Sequence, residues 1–386
     1  MEEKEFERIR LADNPAAEAL ILTTLALIAL GVVMVFSTVG TSVVEKQWYY
    51  RRDIKQVIFA AVAVIILFWF WRYDYHWLNK PIYRRGERLE LLFTPAAIFF
   101  ILALITAVLV LIPPIGGKGT FHRWIRFGPV GFQPSELVKF SLLIFLAAWM
   151  SKSNVDVKSF RRTFLPAVGL IGITSALIAP EDLGTGVIIV LSSSAILIAA
   201  GVRWYYFLTL IPLAAAGGYW FVVRCPYRWA RIEAMLNPFD LSNPAAYQAR
   251  QSLICIATGK HPAGLGAGTA KYGYLPEIST DFVFANLSQE TGIIGAVGLI
   301  ALWSAWLILI WWICKRAADR FALLLAGGIG FLIVLQAVMH IAVTVVWMPP
   351  TGVSLPFVSA GGSSLIMCSL ATALVVSVSS YKPTCL

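Results

Sequence analysis

A chain of 386 residues, 59% of them hydrophobic and only 13% charged, with a mean hydropathy of +0.76, cannot fold as a water-soluble domain and reads as an all-α polytopic membrane protein. Its formal charge of +10 falls largely in loops between apolar runs, so it reports topology and attraction to anionic lipids, and nothing in it calls for nucleic acid. The four histidines show no metal-ligand spacing and no Asp-x-Asp pair is present, which argues against a protein-built zinc site and against the metal grip of nucleotide-sugar transferases.

A hydrocarbon core about 30 Å deep needs roughly 17 to 25 apolar residues per helix. Ten stretches approach this, at about 17–38, 55–71, 91–112, 136–150, 164–179, 184–200, 204–223, 283–313, 320–346 and 354–378. They predict about ten transmembrane helices in a single integral membrane domain covering 1–386, with a large structured extracellular loop, about 224–282, between helices 7 and 8. The first stretch is too long for a signal peptide and reads as a retained span. Arg72, Lys80, Arg84, Arg85 and Arg88 share one short loop, Lys152, Lys158, Arg161 and Arg162 a second, and Lys315, Arg316 and Arg320 a third. These loops are expected inside, which places both termini in the cytoplasm. Cys225 and Cys255 share the outer loop and could in principle pair.

The loop before the fourth span, 117–139, concentrates polar residues around Arg123, Gln133, Glu136 and Lys139. Pro134 suits a helix start and Glu136 its positive end. Glu136 and Lys139, three apart, share a helical face and can offset each other's desolvation. Glu181 and Asp182, with Gln336, His340 and Thr344 on one face of the ninth span, could line a shared cavity.

In the outer loop, Asn243-Pro244 and Gly259 bracket a helix whose apolar side holds Tyr247, Leu253, Ile254 and Ala257, suited to the membrane interface. Arg224, Arg228, Arg231, Arg250, Lys260 and Lys271 outnumber Glu233, Asp240, Glu277 and Asp281, a balance that fits a phosphate-bearing substrate or arginines reaching for lipid headgroups. Asp281 lies where this loop enters a long apolar helix. That address suits a base between water and a lipid-anchored substrate; following Thr280, it also suits a helix cap.

The motifs in order carry a resemblance: Gly31 to Ser37, Lys55-Gln56, Arg123-Trp-Ile, Gln133-Pro-Ser-Glu-Leu-Val-Lys139, Asp182-Leu-Gly184, Tyr247-Gln248, the Leu275 to Gly292 block and Pro350 to Ser364. Together they resemble the SEDS family (shape, elongation, division and sporulation), the FtsW, RodA and SpoVE group of bacterial cell-wall glycosyltransferases. The resemblance implies a ten-span peptidoglycan polymerase that joins lipid II, an undecaprenyl diphosphate-linked disaccharide peptide, into glycan strands at the outer face of the cytoplasmic membrane, with Asp281 as the catalytic acid residue. Gly264 to Gly268, Lys271 and Tyr274-Leu-Pro-Glu look closer to the division and sporulation branch than to the elongation branch of RodA. Arg123, Lys139, Lys271 and Lys55 are the candidate substrate-binding cations, with Glu136 and Glu290 orienting them. No cofactor is built in; a divalent cation, Mg or Mn, could accompany the lipid diphosphate. The implied partners are a class B penicillin-binding protein and other divisome or elongasome proteins. Ser279, Gln289, His340, Ala360 and Lys55 stand where the family commonly has His, Glu, Asn, Tyr and Arg. A flippase or transporter of lipid-linked precursors is the rival reading, and a noncatalytic scaffold a third; polar motifs gathered at one face favour the enzyme.

Overall fold

The computed structural model describes residues 6–8, 11–39, 51–82, 91, 93–112, 123–128, 130–272 and 275–383. Twelve α-helices run along the chain: α1 (Pro15–Val39), α2 (Arg52–Phe70), α3 (Pro95–Leu109), α4 (Pro134–Met150), α5 (Leu165–Ile178), α6 (Leu183–Ala199), α7 (Ile211–Gly218), α8 (Pro226–Leu236), α9 (Ala246–Thr258), α10 (Val283–Lys315), α11 (Arg320–Thr344) and α12 (Gly362–Ser379). Two short hairpin-like ribbons complete the described chain. β2 (Ile125–Phe127) pairs with β3 (Val130–Phe132), and β1 (Phe6–Arg8) pairs antiparallel with β4 (Tyr381–Pro383).

Every predicted apolar stretch falls on a helix. Among the described residues, seven helical segments are long and apolar enough to cross a membrane, and α3 and α6 are shorter apolar helices; α4, with its two buried charges, is 17 residues long. Local chemistry sets the boundaries. Thr94 caps α3 through Ala97 N–H at 3.3 Å with Pro95 next in line, and Asp319 caps α11 through Ala322 N–H at 2.8 Å, each satisfying an otherwise unpaired donor.

Two expectations are corrected. The tenth stretch does not begin its helix at 354: Pro356 lacks an N–H, and 351–361 forms an irregular strap buried among helices, with Val353, Leu355, Phe357 and Val358 all in the core. Irregular backbone at such depth is tolerated where protein, rather than lipid, surrounds it. The second concerns the cysteines, since Cys225 and Cys255 are both free. The 224–282 loop holds the anticipated helix, α9, and also α8, which starts at Pro226 and was not anticipated.

α11 and α12 form the centre, with α12 packed on α2, α11 on α4, α6 and α10, and α1 against α10. Glycines permit close approaches: a Cβ on Gly330 would lie 2.4 Å from Ile310 Cγ2, and one on Gly31 2.5 Å from the Phe357 carbonyl. Trp306 Nε1 donates to Thr24 Oγ1 at 3.1 Å across the α10–α1 contact, a partner that a buried indole requires. By contrast, the segment Trp204–Val223, containing α7, has no buried residue, as suits a helix facing lipid.

Candidate active site

The site forms where four irregular segments meet the ends of α4 and α6. The β2–β3 ribbon delivers Gln133 and Pro134 to the start of α4 and so places Glu136 and Lys139 in its first turns. Lys139 Nζ lies 2.8 Å from Glu136 Oε1 and donates to Gln336 Oε1 at 3.0 Å, with only 1% of the lysine side chain exposed. Gln336 passes the connection on, donating from Nε2 to the Ser354 carbonyl at 3.1 Å. One helical turn later His340 Nδ1 lies 2.9 Å from the Val353 carbonyl. α11 therefore holds the buried ammonium with one face and the 353–354 strap with the same face.

At the start of α6, Asp182 accepts from Thr185 N–H at 3.1 Å and Thr185 Oγ1 at 3.0 Å, and Arg123 Nη1 lies 4.0 Å from its Oδ2. Gly184 is required here, because a Cβ would meet Thr351 Cβ at 2.8 Å. The strap thus seats directly on the first turn of α6.

Asp281 lies one residue before Phe282, which holds the cap position of α10 with no side-chain bond, so the carboxylate is not spent as a cap. Its loop is stitched to the strap: Ala360 N–H donates to the Ser279 carbonyl at 2.8 Å and Ser359 Oγ to the Thr280 carbonyl at 2.6 Å. Gly352, at φ 71°, leaves open a space whose absent Cβ would lie 3.6 Å from Asp281 Oδ2 and 3.7 Å from Arg123 Nη1. Acid and guanidinium both border that gap.

A cavity of about 70 Å³ is lined by Asp281, Asp182, Glu136, Lys139, Gln336 and Gly352, among others. Glu136 Oε2 and Ser363 Oγ, both lining residues, have no hydrogen-bond partner among the described residues, the condition of polar atoms awaiting water or a ligand. A neighbouring cavity of similar size is lined by Arg123, Tyr227, Arg228, Arg231, Pro350 and Thr351. Arg231 donates to the Pro350 carbonyl at 2.6 Å and Arg228 to those of Ala179 and Pro180 at 3.1 and 2.6 Å, so α8 braces the strap from outside. Burial pushes the Asp281 carboxyl up to about 6; the Glu277 and Asp182 carboxylates add to this, and the Thr280 hydroxyl and, less, Arg231 oppose it.

Of the residues singled out from sequence, Asp281, Arg123, Glu136 and Lys139 converge here, together with Asp182 and Gln336. Three others lie elsewhere. Glu290, 1% exposed, accepts from the Ser37 hydroxyl and from Gly266 N–H at 3.2 Å. Lys271 donates to the Gly266 carbonyl and sits over the Tyr272 ring at 5.7 Å. Lys55 occupies the first turn of α2, half-buried. One turn earlier, Arg52 reaches the loop that carries Asp281 instead, 3.3 Å from Ser279 Oγ and 3.5 Å from Glu277; the sequence gives no signal for it beyond a basic pair ahead of an apolar run. His122 and the rest of 113–122, Tyr274, Arg84, Arg85, Arg88 and Cys385 lie outside the described residues.

Residues 18–384 match the model of the FtsW/RodA/SpoVE family, described as cell cycle proteins. The chain belongs to that family. It is 34% identical over 372 residues to stage V sporulation protein E of Bacillus subtilis, covering 94% of this chain and 96% of the relative. It is 32% identical over 365 residues to the probable peptidoglycan glycosyltransferase FtsW of Coxiella burnetii, covering 92% and 94%. Among solved structures, a chain described under structural coordination of polymerization and crosslinking by a peptidoglycan synthase complex aligns with TM-score 0.73 at 23% identity, over 93% of this chain and 96% of that one. Thermus thermophilus RodA aligns with TM-score 0.63 at 22% identity, over 93% and 95%. The family's helical membrane fold is therefore the fold of this protein.

Proposed function

We propose that the protein is a peptidoglycan glycosyltransferase that polymerises lipid II at the outer face of a bacterial inner membrane, in the manner of the division and sporulation branch. Curated relatives bearing the FtsW and SpoVE names support the branch. The observation that carries the chemistry is the placement of Asp281 across a small gap from Arg123, in a cavity that also holds the buried Lys139.

In this reading Asp281 takes the proton from an acceptor sugar hydroxyl as that oxygen bonds to the donor's anomeric carbon. The bond from that carbon to the lipid diphosphate breaks, and the pair of electrons leaves with the phosphate. A single displacement inverts the anomeric centre. The leaving diphosphate needs charge stabilisation rather than a proton, so one base suffices. Arg123 and Lys139 supply the positive charge, Glu136 and Gln336 hold Lys139 in place, and Asp182 orients Arg123. A carboxyl near pH 6 is ionised at neutrality yet basic enough to accept a proton. Lys55, Lys271 and Glu290 line neither this cavity nor the neighbouring one that Arg123 lines, and the diphosphate is held without them. The described residues contain no group of three His, Cys, Asp or Glu suited to a metal ion; a divalent cation would arrive with the diphosphate.

Crosslinking falls to a partner, for which a class B penicillin-binding protein is the candidate. The test incubates purified protein, alone and with that partner, with lipid II. Wild type is expected to make glycan polymer and a folded Asp281→Asn variant none. Equal polymer from both overturns the role of Asp281; lipid II crossing vesicles without polymer points to transport.

A further inference from the structure

At the end of the bundle away from Asp281 lies a cavity of about 280 Å³ lined by His76, Asn79, Lys80, Ser151, Asp319 and Arg320, with Phe321 at its wall. Ser151 closes α4, whose first turn carries Glu136, so the two cavities stand about 22 Å apart along that helix at 1.5 Å per residue. We propose that this cavity binds a phosphate ester carrying a free hydroxyl, the chemistry of a phosphoglycerol headgroup.

The argument begins with charge. Asp319 is the acid of the lining, and its oxygens are already engaged: Oδ2 accepts from Tyr75 Oη at 2.6 Å and faces His76 Nε2 at 3.0 Å, while Oδ1 accepts from Ala322 N–H at 2.8 Å. His76 Nδ1 lies 2.6 Å from Asp74 Oδ1, so both ring nitrogens face carboxylates, an arrangement that the doubly protonated ring satisfies with two donors. Burial opposes that charge, but Asp319 and Asp74 outweigh it and hold the imidazole above the usual histidine value. What remains to meet a ligand is positive. Lys80 is exposed with no side-chain partner among the described residues, and Arg320 spends only Nη2, on the Ala200 carbonyl at 2.6 Å. Lys152 stands beside them, donating to the Asn79 carbonyl at 3.2 Å. The three basic loops of the sequence thus each send a cation to one rim.

A hydroxyl is called for by Asn79. Its Nδ2 donates to Ser151 Oγ at 3.3 Å, while its buried Oδ1 has no partner among the described residues. A buried acceptor beside a cationic rim needs a donor; a phosphodiester has no O–H of its own to offer, whereas the glycerol of a phosphoglycerol headgroup carries hydroxyls that donate. Trp77, 62% exposed on the same short turn, has the amphipathic shape of an interfacial anchor, which favours a headgroup still attached to its lipid.

The test is native mass spectrometry of the full-length protein in detergent, titrated with phosphatidylglycerol or phosphatidylcholine. Wild type is expected to retain phosphatidylglycerol selectively. Lys80→Gln is expected to bind it about tenfold more weakly, the worth of one hydrogen bond to a charged group, and Asn79→Leu about fivefold, the worth of a neutral one. Lys158→Gln, outside the lining, is expected to bind as wild type. Addition of sn-glycerol 3-phosphate separates the two sources: displacement of the lipid identifies a headgroup site open to soluble phosphate esters, and failure to displace identifies a site for the lipid itself. Equal retention of both lipids, or undiminished retention by a normally melting Lys80→Gln, overturns the proposal. The readout requires no polymerase activity.

Discussion

Lys139, fully buried, and Asp281, half-buried, show desolvation acting in opposite ways. Lys139 is taken out of water with its counter-ion, so removing one member strands the other; Lys139→Met is expected to destabilise by about 3–5 kcal/mol, and adding Glu136→Leu to recover most of that in thermal melts. If the double variant melts no higher than the single one, the pair is not the source of the loss. Asp281 has no such mate. Its folded pKa lies near 6, above the ordinary 3.8, so the folded state holds the proton more tightly than the unfolded one and its stability declines as pH rises from about 4 to 6. Asp281→Asn should therefore melt higher than wild type at pH 8, with the difference shrinking toward pH 5. Polymerisation by wild type should climb with pH, half-developed near 6. The Glu136–Lys139 pair was legible because three residues on a helix is a fixed geometric relation. Gln336 was legible only as a polar residue on a helix face, since its bond to Lys139 spans 197 positions, and local pattern carries no record of such a meeting. Arg52, Gly352 and Ser359 were not legible as site residues for the same reason.

At the level of elements, the strap 351–361 and the loop 275–281 act as one unit because Ser359 bridges them, accepting from Leu355 N–H at 2.9 Å while donating to the Thr280 carbonyl. Ser359→Ala leaves two buried backbone groups unmatched, and a loss of about 1–3 kcal/mol is expected, with a fall in glycan polymer larger than the fall in melting temperature implies. α10 contains a break: Gly292 has φ 71° and ψ −165°, a region open essentially to glycine alone. A Cβ there would also lie 3.0 Å from the Gly259 carbonyl. Gly292→Ala is expected to cost about 1–3 kcal/mol, read in melting of the purified protein; an unchanged melting temperature would show that the break relaxes. The sequence placed α9 through Asn243-Pro244 and Gly259, but α8 was hidden because Cys225 offers no capping side chain and its charged face resembles a polar loop. The strap was hidden by its own apolar residues, which read as the start of a span until Pro356 and the glycines are given weight.

Across the whole molecule, hydropathy located every helix of the bundle because lipid leaves the backbone few alternatives. It could not say how the helices assemble, since packing among apolar faces follows small residues such as Gly31, Gly184 and Gly330 rather than hydrophobicity. The proposed orientation puts the catalytic cavity outside and the basic rim inside. Maleimide labelling checks it: Leu241→Cys, on a residue 82% exposed in the outer loop, should react in intact cells, and Lys158→Cys only after permeabilisation. The reverse pattern would invert the topology and remove access of Asp281 to an external polymer. The break at Gly292 has a mechanical meaning at this scale. It divides α10 into a short piece that follows the loop of Asp281 and a long rod, 293–315, packed on α1 and α11. The rod is held by α1 and α11 while the loop ahead of the break is held by the strap, so the two ends of one helix answer to different neighbours, and a single glycine's backbone decides the direction in which the loop of Asp281 leaves the bundle.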